Sequence, residues 1–140
     1  MPHKTTDTIE KLIDHAGTSF VAYIDAEGFP VTKAMLKPRE RIGIHELWFS
    51  TNTSSNKVSC FRANGIASVY FIDKRFFRGV SLVGTMEVLE SKAVKERIWR
   101  DGDEMFYPKG VTDPDYCVLK FTTRKCRYYS NFHSKDIALE

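Results

Sequence analysis

The stretch Phe49-Ser50-Thr51-Asn52-Thr53-Ser54-Ser55-Asn56-Lys57 joins a strand-like run to a helix start through a loop of small polar residues. Glu46 to Thr51 (ELWFST) reads as a strand, and Lys57 to Ala63 as a short helix stopped by Asn64-Gly65. A helix start presents unpaired N–H groups and the positive end of the helix dipole. That arrangement suits a phosphate. Thr51 and Ser55 add hydroxyl groups, Lys57 adds a full charge, and Ser50 and Asn56 lie in the same loop. A plainer reading fits the same residues: Ser54 or Ser55 caps the helix and Lys57 is solvated. Local sequence leaves both open.

On either side, strand signals dominate. Ser19 to Asp25 is rich in β-formers, Asp25-Ala26-Glu27-Gly28 is a turn by composition, and Phe29 to Lys37 forms the second arm of a hairpin. Alternation within Pro30 to Met35 (PVTKAM) places Lys33 and Met35 on one face. Pro38 to Ile44 reads as a loop. Ile66 to Asp73, Phe77 to Leu89, Tyr116 to Thr122 and Lys125 to Phe132 read as further strands. Gly79 and Gly84 predict bulges or close backbone approaches. Ile9, Leu12, Ile13 and Ala16 recur at helical spacing over residues 6 to 16, and Ser91 is placed to cap a helix reaching about Arg100. Residues 101 to 115 read as irregular. Many short strands with a few helices between them predict a small closed β-barrel with helical plugs.

The chain has 140 residues, 42% hydrophobic and 28% charged, which is the balance of one globular domain spanning residues 1 to 140. A net charge of +3, with both signs interspersed, argues against a polyanion-binding protein, so no nucleic-acid partner is expected. No run resembles a signal peptide or a membrane span, so no membrane partner is expected. Cys60, Cys117 and Cys126 are odd in number and lack a CxxC pair, which reads as reduced, core-packed thiols in a cytoplasmic protein. His3, His15, His45 and His133 show no metal-ligand spacing, so no metal is expected. Of Trp48 and Phe49, neighbours on one strand, one should face the core, and of Tyr128 and Tyr129 only one can face inward.

The order strand, PxxK, loop, FxTNxxSxK, helix, strand resembles the flavin mononucleotide (FMN) site of the pyridoxamine phosphate oxidase family. Ser68 to Phe71 (SVYF) and Val80 to Val88 (VSLVGTMEV) resemble that family's next two strands. The helix with Trp99, then Phe106 to Gly110 (FYPKG) and Asp113 to Tyr116 (DPDY), resembles its general-stress-protein branch. The resemblance covers roughly residues 6 to 130. It implies a mainly β (α+β) fold: a split β-barrel of six or seven mostly antiparallel strands with flanking helices. It implies that Thr51, Ser55 and Lys57 bind the FMN phosphate, with Ser50 and Asn56 beside them. It implies that Lys33 lies near the pyrimidine edge of the ring, with Met35 on the same strand face. A fixed cation there tunes the ring's potential. Trp99 and Phe106 read first as core or interface residues, and a wall over the flavin ring is the alternative that their place in the family pattern implies. The resemblance further implies a homodimer with flavin in the clefts between subunits, because a barrel this small is filled by its own side chains.

The chain also departs from the pattern. Gly79 stands where the oxidases that make pyridoxal phosphate carry a flavin-contacting Gln. Their closing segment, with a Trp and an Arg-x-His pair, has no counterpart after Cys126 to Phe132 (CRYYSNF). A true pyridoxamine phosphate oxidase is therefore not expected. The reading is an FMN-dependent oxidoreductase acting on a small molecule. A non-catalytic flavin-binding stress protein, and a split barrel that holds haem or a deazaflavin, stand as its alternatives. No catalytic residue is assigned.

Overall fold

The structure, a computed structural model, describes residues 5–139. One antiparallel sheet of eight strands carries the fold: β1 (Thr18–Ile24), β2 (Pro30–Leu36), β3 (Glu40–Ile42), β4 (Glu46–Asn52), β5 (Ile66–Asp73), β6 (Arg78–Leu89), β7 (Tyr116–Ser130) and β8 (His133–Ile137). Its order is β2-β1-β5-β6-β7-β4-β3, with β8 paired to β7. Strands β2 and β3 end the path unpaired with each other, so the sheet curls but does not close. A split barrel is observed rather than the closed barrel that strand counting alone predicts.

Three helices flank the sheet: α1 (Thr5–His15), α2 (Asn56–Ala63) and α3 (Lys92–Ile98). Helix α1 buries Ile9, Leu12 and Ile13, the stripe its spacing predicts. The Ser91 hydroxyl accepts the Val94 amide, as an N-cap does. Helix α3 stops at Ile98, short of Arg100, because Trp99 leaves helical geometry with ψ of 141°.

Two strand expectations need correction, and β8 lies beyond the last strand that the sequence signals. The loop expected at 38 to 44 holds β3, a three-residue edge strand too short and too charged to show a period of two. Segments 116 to 122 and 125 to 132 are not separate strands but one, β7, kept continuous by a bulge. Val83 pairs with Lys125 and Gly84 with Thr123, so Arg124 is the extra residue. Gly84 is required there: a Cβ would lie 1.9 Å from the Thr122 carbonyl oxygen. Strand β8 (HSKDI) has no alternation because four of its five residues are exposed.

The main core lies inside the curl, around Ile9, Val21, Phe49, Phe71, Leu82 and Phe121. A second cluster lies outside it, where α3 and the segment 103 to 113 cover β4 and β7: Trp48, Ile98, Tyr107, Tyr116 and Val118. Trp48 and Phe49 are therefore both buried, one on each face of β4, because this strand is covered on both sides. Tyr128 faces the core and Tyr129 does not, as alternation requires. All three cysteines are buried and unpaired. Among the described residues no group of His, Cys, Asp or Glu is arranged to hold a metal; His3 lies outside them. No helix of the described chain is long and apolar enough to cross a membrane.

Candidate functional site

The opening of the barrel holds a cleft of about 510 Å³. The end of β2 supplies one wall through Ala34, Met35 and Leu36, and β4 supplies the other through Phe49, Ser50, Thr51 and Asn52. Lys57 forms its base, and Met105, Phe106 and Tyr107 stand along the rim. Two cations besides Lys57, Lys37 and Arg39, line it, and no carboxylate does.

Lys57 is the most informative residue. Its side chain is swallowed at the start of α2, leaving 6% exposed. The ammonium donates to the Ser55 hydroxyl at 3.2 Å. Among the described residues it forms no ion pair, although eight other such pairs are present. Burial, and then the like charge of Lys33, hold its pKa below the ordinary lysine range. Buried charges are normally paired, and this one has no anionic partner among the described residues.

The helix start is equally open. Ser55 occupies the N-cap position of α2 but its side chain makes no capping hydrogen bond. The capping reading of Ser55 therefore fails, and the hydroxyl turns to Lys57 instead. The Asn56 and Lys57 amides that open α2 have no intrahelical acceptor, whereas the Val58 amide donates to the Ser55 carbonyl at 3.1 Å. The buried Thr51 hydroxyl stands on the adjoining cleft wall. An oxyanion held here meets hydroxyls, amides and an ammonium together.

Of the residues singled out by sequence, Met35, Ser50, Thr51 and Lys57 line the cleft. Ser55 touches it through Lys57, and Asn56 opens α2 on its exposed side. Lys33 sits on β2 opposite Val21, exposed, outside the lining but near enough for its charge to act on Lys57. Trp99 is not in the cleft. It packs behind the rim against Tyr107 and Tyr116, at 6.2 and 5.2 Å between ring centroids. The helix ends one residue before Trp99, and this turns the ring into the second cluster. Phe106, paired with Trp99 in the sequence reading, does line the cleft, together with Met105; they are 61% and 84% exposed.

Three contributors escaped sequence reading. Arg39 makes a two-pronged ion pair with Asp103, at 2.8 and 2.9 Å, which ties the rim segment to the barrel. The Arg39 hydrogen bonds hold the Asp103 carboxyl below the usual carboxylate range. Tyr107 lies buried against Tyr116, and burial pushes both phenols up to about 12, so both stay neutral. Asp115 reaches from the start of β7 to the loop 52 to 55. Tyr107 lies within the FYPKG run and Asp115 within the DPDY run; for Arg39 no local signal exists, because Asp103 is 64 residues distant in sequence.

A larger hollow, about 620 Å³, lies between α1 and the turn joining β5 to β6. Its cations are exposed, as Lys11, Lys74 and Arg75 are, or already paired, as Arg78 is with Asp73. It holds no buried unpaired charge.

Residues 4–139 match the family model described as pyridoxamine 5'-phosphate oxidase like. A solved protein from Clostridium acetobutylicum, related to general stress protein 26 of B. subtilis, is 34% identical. It superposes with a TM-score of 0.88 over 98% of this chain and 96% of its own. General stress protein 26 of Bacillus anthracis shares the fold at 16% identity, with a TM-score of 0.74 over 94% of this chain and 98% of its own. A haem-binding protein of Mycobacterium smegmatis does so at 13% identity, with a TM-score of 0.78 over 98% of this chain and 59% of its own. No curated protein matches the sequence.

Proposed function

The chain belongs to the pyridoxamine 5'-phosphate oxidase-like family, and from that premise we propose that it binds FMN in the barrel cleft and serves as an oxidoreductase for a small organic molecule. The observation that carries this reading is Lys57: a buried, unpaired ammonium beside the open start of α2. A terminal phosphate monoester supplies the charge this cradle lacks. The flavin, when bound, supplies the transfer of electrons or hydride between a reduced donor and an acceptor. The protein's own groups hold the phosphate, and Lys33 places positive charge on the strand beside it.

The cleft is a groove rather than a closed chamber, and its apolar rim residues Leu36, Met105 and Phe106 are exposed. A flavin ring lying there needs a second wall. A homodimer that lays one subunit over the other's cleft provides it. Light scattering of the flavin-loaded protein should give twice 16.1 kDa. A monomer that keeps its flavin overturns this assembly.

The test of the cofactor is a pair of fluorescence-quench titrations. FMN should bind more tightly than riboflavin, which has the ring without the phosphate. Equal affinity removes the phosphate site. The haem-binding neighbour makes haem the alternative ligand of this fold, and an absorption spectrum decides: flavin bands support the present reading, a Soret band opposes it. Steady-state oxidation of a reduced nicotinamide by the FMN-loaded protein should exceed that of free FMN. Its absence favours a flavin carrier over an enzyme.

A further inference from the structure

The loop 52 to 55 takes most of its hydrogen bonds from Asp115. The Ser54 amide donates to one carboxylate oxygen of Asp115 at 2.8 Å. The Asn52 side-chain amide donates to the other at 3.2 Å. The Thr53 amide donates to the Asp115 carbonyl at 2.7 Å. Ser55 closes the turn onto the Asn52 carbonyl. The Thr53 and Ser54 amides are thus consumed on the side of β7, and the Ser55 amide within the loop. The donors left over at the start of α2 are the Asn56 and Lys57 amides and the Lys57 ammonium, and Lys57 lines the cleft.

Asp115 is itself held. Its amide donates to the Asp113 carboxylate at 2.9 Å, and the other oxygen of that carboxylate accepts the Lys109 amide at 3.1 Å. The Asp113 carbonyl accepts the buried Lys95 ammonium of α3 at 3.0 Å. The carboxylate therefore stands on a rigid turn braced by the segment that carries the cleft rim. A negative charge this near a proposed anion site repels the anion. Such a charge makes sense only if the loop geometry it imposes outweighs the repulsion.

We propose that Asp115 is the positioning residue of the phosphate loop: its carboxylate takes the donors of Asn52 and Ser54 so that the start of α2 and Lys57 are left facing a flavin phosphate. This rests on the FMN reading above. It adds that shape, not charge, is what Asp115 contributes. An asparagine at 115 keeps an acceptor for the Ser54 amide and removes the repulsion; an alanine keeps neither acceptor.

The experiment compares wild type, Asp115→Ala and Asp115→Asn, in two measurements. The first is amide hydrogen exchange in the flavin-free proteins. Asp115→Ala should expose the Ser54 amide and leave the Thr53 amide protected, because the carbonyl that accepts it remains. Asp115→Asn should protect both. The second is titration with FMN and with riboflavin. Asp115→Ala should weaken FMN by about tenfold, the loss expected for one charge-assisted hydrogen bond's worth of geometry, and leave riboflavin unchanged. Asp115→Asn should bind FMN at least as well as wild type. Equal affinity of wild type for the two flavins sinks the FMN reading, whatever the exchange shows. If wild type prefers FMN, two outcomes overturn the positioning role: Asp115→Ala keeps that preference, or Asp115→Asn loses it as fully as alanine does. An unchanged Ser54 exchange rate in Asp115→Ala overturns it without reference to any flavin.

Discussion

The Lys57 ammonium donates to the Ser55 hydroxyl, and that hydroxyl is the one polar side-chain partner it has among the described residues. A neutral oxygen satisfies one of three ammonium hydrogens and none of the charge. The flavin-free protein is thus under electrostatic penalty at the place where the proposed phosphate enters.

That penalty has a sign. A lysine whose folded pKa lies below its unfolded one binds fewer protons when folded. Stability of the flavin-free protein should therefore rise with pH, between the depressed folded value and the ordinary value of about 10.4. Lys57→Met should remove that rise and increase Tm at neutral pH. Thermal melts across pH for the two flavin-free proteins check it. A Tm that falls in Lys57→Met shows that the charge was already compensated.

With flavin bound, Lys57 and Lys33 should fail differently. The phosphate carries the same charge whichever redox state the ring is in. Lys57→Ala should weaken oxidised and reduced flavin alike, by about 1.5–3 kcal/mol if one charge-assisted hydrogen bond is lost. Lys33→Ala should weaken the reduced form more and lower the potential. A differential loss of about 1.4 kcal/mol is about 30 mV for a two-electron couple. Potentiometric titration of both variants separates the roles. An unmoved potential in Lys33→Ala removes that residue from the ring.

Asp103 should set part of the acid limb of stability. Its folded pKa is depressed, chiefly by the Arg39 hydrogen bonds, so its contribution is full above the ordinary aspartate value of about 3.9. That contribution is lost as pH falls through the lower folded value. Asp103→Asn should cost about 1.5–3 kcal/mol at neutral pH. It should also make the difference from wild type shrink below about pH 4. Urea denaturation at pH 7 and pH 3 measures both. A difference that is constant with pH means that the pair's charge is unimportant.

The two strand glycines should respond unequally to one methyl group. At Gly84 the new Cβ meets the Thr122 carbonyl oxygen at 1.9 Å, which is backbone in the middle of the sheet. At Gly79 it meets the Tyr70 hydroxyl at 2.0 Å and the adjoining ring carbons at 2.6 and 3.0 Å, the outer end of a side chain that is 38% exposed. Gly84→Ala should cost about 3 kcal/mol or more, and Gly79→Ala under about 1 kcal/mol. Chemical denaturation compares them. Similar losses at both positions contradict the bulge geometry.

Much of this protein is written locally. The stripe on α1, the hairpin of β1 and β2, the start of α2 and the Thr51-Ser55-Lys57 run are all legible in sequence. Each depends on neighbours a few residues apart, where periodicity and turn chemistry act directly. Tertiary structure decided the rest. Whether Lys57 is solvated or buried without a counter-ion depends on how α2 seats against the barrel. Strands β3 and β8 exist only because a neighbouring strand offers hydrogen bonds; their own residues are too few or too polar to signal. Trp99 was readable as an aromatic near the site, but α3 ends at Ile98 rather than near Arg100, and the ring packs on Tyr116. The pairs Arg39–Asp103 and Asp115–Ser54 join residues 64 and 61 apart in sequence. No local preference encodes a contact of that range; it forms when the curl of the sheet brings the opening of the barrel together.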